Sequence, residues 1–300
     1  MASVTANGIT LEYEAWGDPA APPILLIMGL GMQLTSWPDG FPEDLVAQGF
    51  RVIAFDNRDC GHSTRIRVRK RSNLLLQIAR AWARLPVRAP YTLDDMAADT
   101  VGLLDALHVA RAHQVGVSMG GMIAQVVAAR YPERTASLTS IMSSTGNRRV
   151  SKSTPAARRA LLTRPDDPDN PESVTRHLVG VFGVIGSPGY PADRGKLRER
   201  IERNVRRSHY PAGVTHQLLA IMASGDRRRM LAQITAPTLV IHGAADPLVP
   251  VAAGRDTAEH IRGARLQVIE GMGHDLPPAL QPALVAAIAA HCRMAAGPGA

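Results

Sequence analysis

Residues Ala112–Tyr131 read AHQVGVSMGGMIAQVVAARY, and no other twenty residues narrow the fold as far. Ala112 to Val117 is a largely apolar run of strand length. Met119 to Tyr131 carries apolar residues as a buried helix would. One residue, Ser118, separates them, flanked by Gly116 and Gly120. A strand that turns into a helix with no linker lays that helix across its own sheet. Repeated along a chain, such strand–helix alternation implies a mostly parallel sheet.

Other segments repeat the pattern. PILLIMG is a continuous apolar run, as in a parallel strand buried on both faces. ITLEYEAW alternates as a strand, and RVIAFD, ASLTSIMS, PTLVIHG and RLQVIE also read as strands. Helices are expected over Pro42–Gly49, from Thr92 onward, near Val251–Ile261 and after Pro278. Thr92 reads as an N-cap, with acids in the first turn and apolar residues at Met96, Leu103, Leu104 and Leu107. The alternation predicts an α/β fold with a mostly parallel central sheet and helices on both faces. Residues 147–230 carry no strand pattern. They hold helical patches such as Lys196–Arg207 between RPDDPDNP and GSPGYP. This stretch is expected to be a helical cap inserted into a core of residues 1–146 and 231–300. Residues 64–91 read as a basic amphipathic insertion in that core.

The chain has 300 residues and a formal net charge of +8. The charge is uneven. Residues 60–93 carry eight Lys/Arg and no Asp/Glu, and residues 147–230 carry seventeen against eight. Such segments raise nucleic acid as a partner. With 4% aromatic residues there is no stacking platform, and no zinc-finger or helix-turn-helix signal is present. No nucleic-acid partner is expected. Two isolated cysteines, Cys60 and Cys292, form no Cys-x-x-Cys pair and suit a reducing compartment. The N-terminus lacks a charged and then apolar leader, so a cytoplasmic location is expected. AAGPGA at the C-terminus reads as a frayed tail.

Gly116-Val117-Ser118-Met119-Gly120 matches the Gly-x-Ser-x-Gly turn. Small flanking residues let the chain turn sharply and lift the serine hydroxyl off the sheet edge. The free N–H groups of the helix N-terminus then face developing negative charge. A serine needs a base. Of ten histidines, His274 stands out, on the Gly-rich loop GMGH past the last strand. His108 reads as a surface or capping residue and His242 as a core residue. His62 and His216 are more often structural than pocket-lining in such settings. The base needs a carboxylate, and Asp246 in GAADPLVP follows a strand. Asp275 adjoins the histidine, but sequence neighbours rarely orient each other this way. Asp256 lies within a helix and is expected to be solvated. Nucleophile, acid and base follow in the order Ser118, Asp246, His274.

With these motifs, and with FDNRDCGHS at residues 55–63, the sequence resembles the α/β-hydrolase superfamily over nearly its whole length. MGLGMQLTSWP and DNRDCGHST look most like its aclacinomycin methylesterase branch of carboxylesterases. The resemblance implies ester hydrolysis through an acyl-enzyme, with no metal or organic cofactor. The glycine loop Gly29-Leu30-Gly31 then serves an oxyanion, through the N–H groups of Leu30 and Met119. A dinucleotide-binding reading of that loop fails, because Leu34 stands where the third glycine belongs. Many relatives carry histidine before this loop, where this chain has Met28.

The insertion NLLLQIARAWARL sets Leu75, Ile78, Ala79, Trp82 and Leu85 on one helical face, with Arg80 and Arg84 elsewhere. Such a helix either lies on an anionic membrane surface or packs its apolar face on the protein with its arginines solvated. The second arrangement is the commoner. Both basic segments leave the sheet at its C-terminal edge and are expected to form a lid favouring apolar or anionic substrates. The expected activity is a serine carboxylesterase acting on small-molecule esters with an apolar acyl chain. An acyltransferase, perhydrolase or lactonase would use the same site. A small-molecule receptor on this scaffold would not need the triad.

Overall fold

The computed structural model describes residues 1–68, 73–83 and 85–296. Arg69, Lys70, Arg71 and Arg84 of the basic insertion, and residues 297–300 of the tail, lie outside the described residues. In chain order, the first half contains β1 (Ala2–Ala6), β2 (Ile9–Trp16), β3 (Pro23–Ile27), α1 (Phe41–Ala47), β4 (Arg51–Phe55), α2 (Leu74–Trp82) and α3 (Leu93–Ala106). There follow β5 (Ala112–Val117), α4 (Met119–Arg130) and β6 (Thr135–Ile141). Helices α5 (Pro155–Leu162), α6 (Pro171–Ile185), α7 (Arg194–Arg207), α8 (Pro211–Ser224) and α9 (Arg228–Leu231) separate β6 from β7 (Thr238–Gly243). The chain closes with α10 (Val251–His260), β8 (Arg265–Ile269) and α11 (Gln281–Ala296).

The strands form one sheet in the order β1-β2-β4-β3-β5-β6-β7-β8. Strands β1 and β2 are antiparallel to each other, and β2 to β4; every pair from β4 to β8 is parallel. The expected fold class is therefore present. Strand β1 is an addition that the sequence reading did not expect. Its signal was the turn Asn7-Gly8, both at positive φ (48° and 76°), joining paired residues Ala6 and Ile9. Asn-Gly is the preferred two-residue hairpin turn for that reason.

The continuous apolar runs are explained by two cores. Leu25, Ile27, Ile53 and Phe55 point to one side of the sheet, among residues of α3 and α4. Ile24, Leu26, Val52 and Ala54 point to the other, among residues of α1 and α11. Each alternate residue is thus buried, and complete burial of each such side chain contributes about 1.5–3 kcal/mol. Because β3 through β8 run the same way, their C-terminal ends share one edge. The loops after β3, β5, β7 and β8 all open there. Ligands bind at that edge in sheets of this kind.

Candidate active site

The turn at Ser118 is set by space. A Cβ on Gly116 would lie 2.2 Å from the carbonyl oxygen of Gly120, and one on Gly120 would lie 2.0 Å from that of Ile27. A Cβ on Gly121 would meet the Cβ of Ser143 at 2.7 Å. Only glycine lets helix α4 start this close to the sheet. Ser118 itself has φ 55° and ψ −117°. For a residue with a side chain that conformation costs about 1–3 kcal/mol. Hydrogen bonds hold it: its N–H donates to Ile141 O (2.9 Å), and Ser143 Oγ donates to its carbonyl (2.8 Å). The side chain of Ser118 is left half-buried at the mouth of the sheet edge.

Residues 156 apart in sequence meet here. His274 Nε2 lies 3.0 Å from Ser118 Oγ, and His274 Nδ1 lies 2.7 Å from Asp246 Oδ2. Both His274 and Asp246 are buried. Asp246 has its other oxygen filled by the N–H groups of Leu248 (2.9 Å) and Val249 (2.8 Å). These two bonds fix the plane of the carboxylate. The three residues singled out in the sequence are thus one hydrogen-bonded chain. Such a chain can move a proton off a serine hydroxyl and hold the resulting imidazolium.

The glycine loop lies against Ser118. A Cβ on Gly29 would sit 3.3 Å from Ser118 Cβ. Among the described residues, neither the Leu30 nor the Met119 N–H is taken by a hydrogen bond within the protein. The neighbouring N–H, of Gly31, is taken: it donates to Gln217 Oε1 at 2.8 Å. Gln217 is fully buried on α8, and its Nε2 donates to Arg58 O at 2.8 Å. Met28 turns its side chain into the apolar cluster beside Trp37, and its carbonyl accepts from Asn57 Nδ2 at 3.1 Å. Asn57 therefore supplies polar support behind the glycine loop.

A second set of contacts anchors the rest of that loop. Asp56, fully buried, accepts from Leu34 N–H (2.7 Å), His62 N–H (3.0 Å) and Arg207 Nη2 (2.8 Å). Arg207 Nη1 also donates to Gln33 Oε1 at 2.6 Å. A Cβ on Gly61 would lie 1.8 Å from Asp56 Oδ2, which accounts for the glycine in DNRDCGHS.

The histidine loop is clamped from outside the sheet. His274 N–H donates to Ile185 O (2.7 Å), at the end of α6, and Gly273 N–H donates to Ser187 Oγ (2.8 Å). Asp275 turns away from His274 and accepts from Ser187 Oγ. Burial raises its carboxyl above the usual range, against the lowering effect of that hydrogen bond. Asp275 was not expected to orient the histidine, and its contacts agree.

The remaining candidates separate cleanly. His108 sits at positive φ (54°) just past α3, as a capping residue. His242 is fully buried in β7, as expected, but it also touches the site. Its Nε2 lies 2.7 Å from Val249 O and 3.6 Å from Asp246 Oδ2. Burial lowers its pKa, so the neutral ring braces the Asp246 loop. His216 is buried against Asp59 Oδ2 (2.9 Å), and His62 faces solvent with Nε2 3.1 Å from Arg207 O. Asp256 was expected in solvent and is instead buried. It accepts from Thr145 Oγ1 and from Asn147 Nδ2 (2.9 Å), tying α10 to the loop after β6. Helical position alone did not reveal those partners. Among the described residues no group of three or more His, Cys, Asp or Glu is gathered as metal ligands would be.

Comparison with known proteins agrees with this fold. A family model for the alpha/beta hydrolase fold matches residues 22–277. A rhodomycin D methylesterase of Streptomyces sp. strain C5 is 33% identical, over 97% of this chain and 98% of its own length. A 3-oxoadipate enol-lactonase of Acinetobacter baylyi is 26% identical, over 89% of this chain and 88% of its own. Among solved structures, the enol-lactonase from Burkholderia xenovorans LB400 has a TM-score of 0.72 at 24% identity, covering 97% of this chain and 100% of its own.

Proposed function

This chain belongs to the alpha/beta hydrolase family, and we propose that it is a serine carboxylesterase working through an acyl-enzyme. The observation that carries the proposal is the chain of contacts Ser118 Oγ–His274 Nε2 (3.0 Å) and His274 Nδ1–Asp246 Oδ2 (2.7 Å). Ser118 Oγ attacks the ester carbonyl carbon while His274 Nε2 takes the hydroxyl proton. Asp246 keeps the other proton on Nδ1 and stabilises the imidazolium. The N–H groups of Leu30 and Met119 bind the oxyanion, each lowering the barrier by about 2.7–4 kcal/mol. The alcohol leaves with the proton from His274. Water then attacks the acyl-enzyme, gives its proton to His274, and the acid departs as Ser118 regains its own.

The substrates are small-molecule esters with a bulky apolar acyl part. The methylesterase relative supports a methyl ester as the bond cleaved. The enol-lactonase relative supports a second reading, a lactone, which is the same bond closed into a ring. In this reading residues 147–230 are the cap and set specificity, since α6 and α8 supply Ile185 and Gln217 to the loops around the site. Two free, buried thiols, Cys60 and Cys292, support a cytoplasmic location. The test is Ser118→Ala assayed on p-nitrophenyl acetate, on methyl esters of bulky acids and on lactones. Turnover of every substrate should vanish with the melting temperature unchanged. Retained turnover would sink the proposal.

A further inference from the structure

Helix α2 is mounted with its apolar face outward. Leu75 is 76% exposed, Leu76 56%, Trp82 75% and the following Leu85 51%. Leu75, Leu76, Ala79 and Trp82 cover one continuous side of the helix. The inner side, turned toward α8, carries Leu74, Ala81 and the buried amide of Gln77. Gln77 Oε1 accepts from Arg88 N–H at 2.9 Å, and Arg148 donates to Ala81 O. Polar bonds thus fix the helix from within, and the large side chains are left to water. Of the apolar face read from the sequence, Leu75, Ala79, Trp82 and Leu85 are exposed and Ile78 is half-buried, so the commoner arrangement, that face packed on the protein, is not the one adopted.

A face of this kind implies an occupant, and charge selects among the candidates. Residues 60–93 carry eight Lys/Arg and no Asp/Glu, with positive charges on both sides of α2 in the chain and Arg80 upon it. A second copy of the protein would bring two such segments together, and like charges would oppose the contact. A nucleic acid would meet the arginines but leave three leucines and a tryptophan exposed. An anionic bilayer satisfies both features: headgroups pair with the arginines while Leu75, Leu76, Trp82 and Leu85 enter the acyl boundary. We infer that the outer face of α2 docks this protein onto anionic lipid bilayers. No helix is long and apolar enough to cross a membrane among the described residues. The contact is therefore a surface one. It stands apart from the ester-hydrolysis reading, because binding is measured without turnover.

The experiment is co-flotation of the full-length protein with vesicles of phosphatidylglycerol and phosphatidylcholine, or of phosphatidylcholine alone. The protein should float with the anionic vesicles at least tenfold more than with the neutral ones. Raising the salt should weaken that binding. Leu75→Gln with Trp82→Gln should lower it about tenfold or more, with an unchanged melting temperature because both side chains are exposed. Arg67→Glu with Arg88→Glu should lower it too, through the loss of positive charge. Absence of anionic-vesicle binding would overturn the inference. So would binding untouched by the Leu75/Trp82 pair, a dimer in sedimentation that this pair dissolves, or retention on RNA without vesicle binding.

Discussion

Gln217 shows how much of a site can hang on one buried amide. It accepts from Gly31 N–H and donates to Arg58 O, and so holds the residue next to Leu30 in place. Gln217→Ala leaves both backbone groups without partners, at about 1–3 kcal/mol each. It should also let the Leu30 N–H drift from the position proposed for the oxyanion. The expected outcome on a p-nitrophenyl ester is a kcat about tenfold lower with KM little changed. Both readings lower the melting temperature, but a purely structural role would leave kcat of the folded protein intact. Stopped-assay kinetics beside thermal melts separate the two. The three residues that meet in the structure were legible in the sequence because Ser118, Asp246 and His274 each carry local signals: a turn motif, a strand end and a glycine loop. Gln217, His242 and Arg207 carry none. The partners of Gln217 and Arg207 lie far along the chain, those of His242 within seven residues, and a glutamine in a helix reads the same whether it is solvated or buried.

At the scale of elements, the strand–turn–helix of β5 and α4 is the most constrained piece. Gly120 marks its tightest approach, to the carbonyl of Ile27. Because that neighbour is backbone, it cannot swing aside. Gly120→Ala should cost about 3 kcal/mol or more. It should lower the melting temperature by about 6 °C or more, by differential scanning fluorimetry. Gly180→Ala, which meets nothing within 4 Å, is the matched control and should melt no lower than the parent. Element type was readable wherever an apolar run was nearly unbroken, as in β3, β4 and α4. Direction was not. In α2 the 3.6-residue period names the apolar face but says nothing of where it points. Gln77, whose amide reaches Arg88, decides that, and its partner lies outside the helix. Strand β1 was missed for a different reason. Its five residues are too short and polar for a hydrophobic signal, and only the Asn7-Gly8 turn announces it.

For the whole molecule, buried histidines set the acid limit. Burial pushes His113 down to about 4, with His291 and Arg111 nearby adding to the effect, and it lowers His242 and His291 in the same direction. In the unfolded chain a histidine takes its proton near pH 6.5. Between that pH and about 4 the unfolded state binds a proton that folded His113 refuses. Stability is therefore complete above pH 7 and falls as the pH drops through that window, on the order of 3 kcal/mol for His113 alone. Urea unfolding at pH 7 and pH 5 should show a lower midpoint at pH 5, and His113→Gln should flatten the difference. The central claim, that Ser118 is the nucleophile of an alpha/beta hydrolase site, is tested most directly by covalent capture. The protein is incubated with a fluorophosphonate and mapped by peptide mass spectrometry. One phosphonyl adduct per chain is expected, on Ser118, lost in His274→Ala. An unlabelled Ser118 in a protein that hydrolyses esters, or an adduct on another residue, would contradict it.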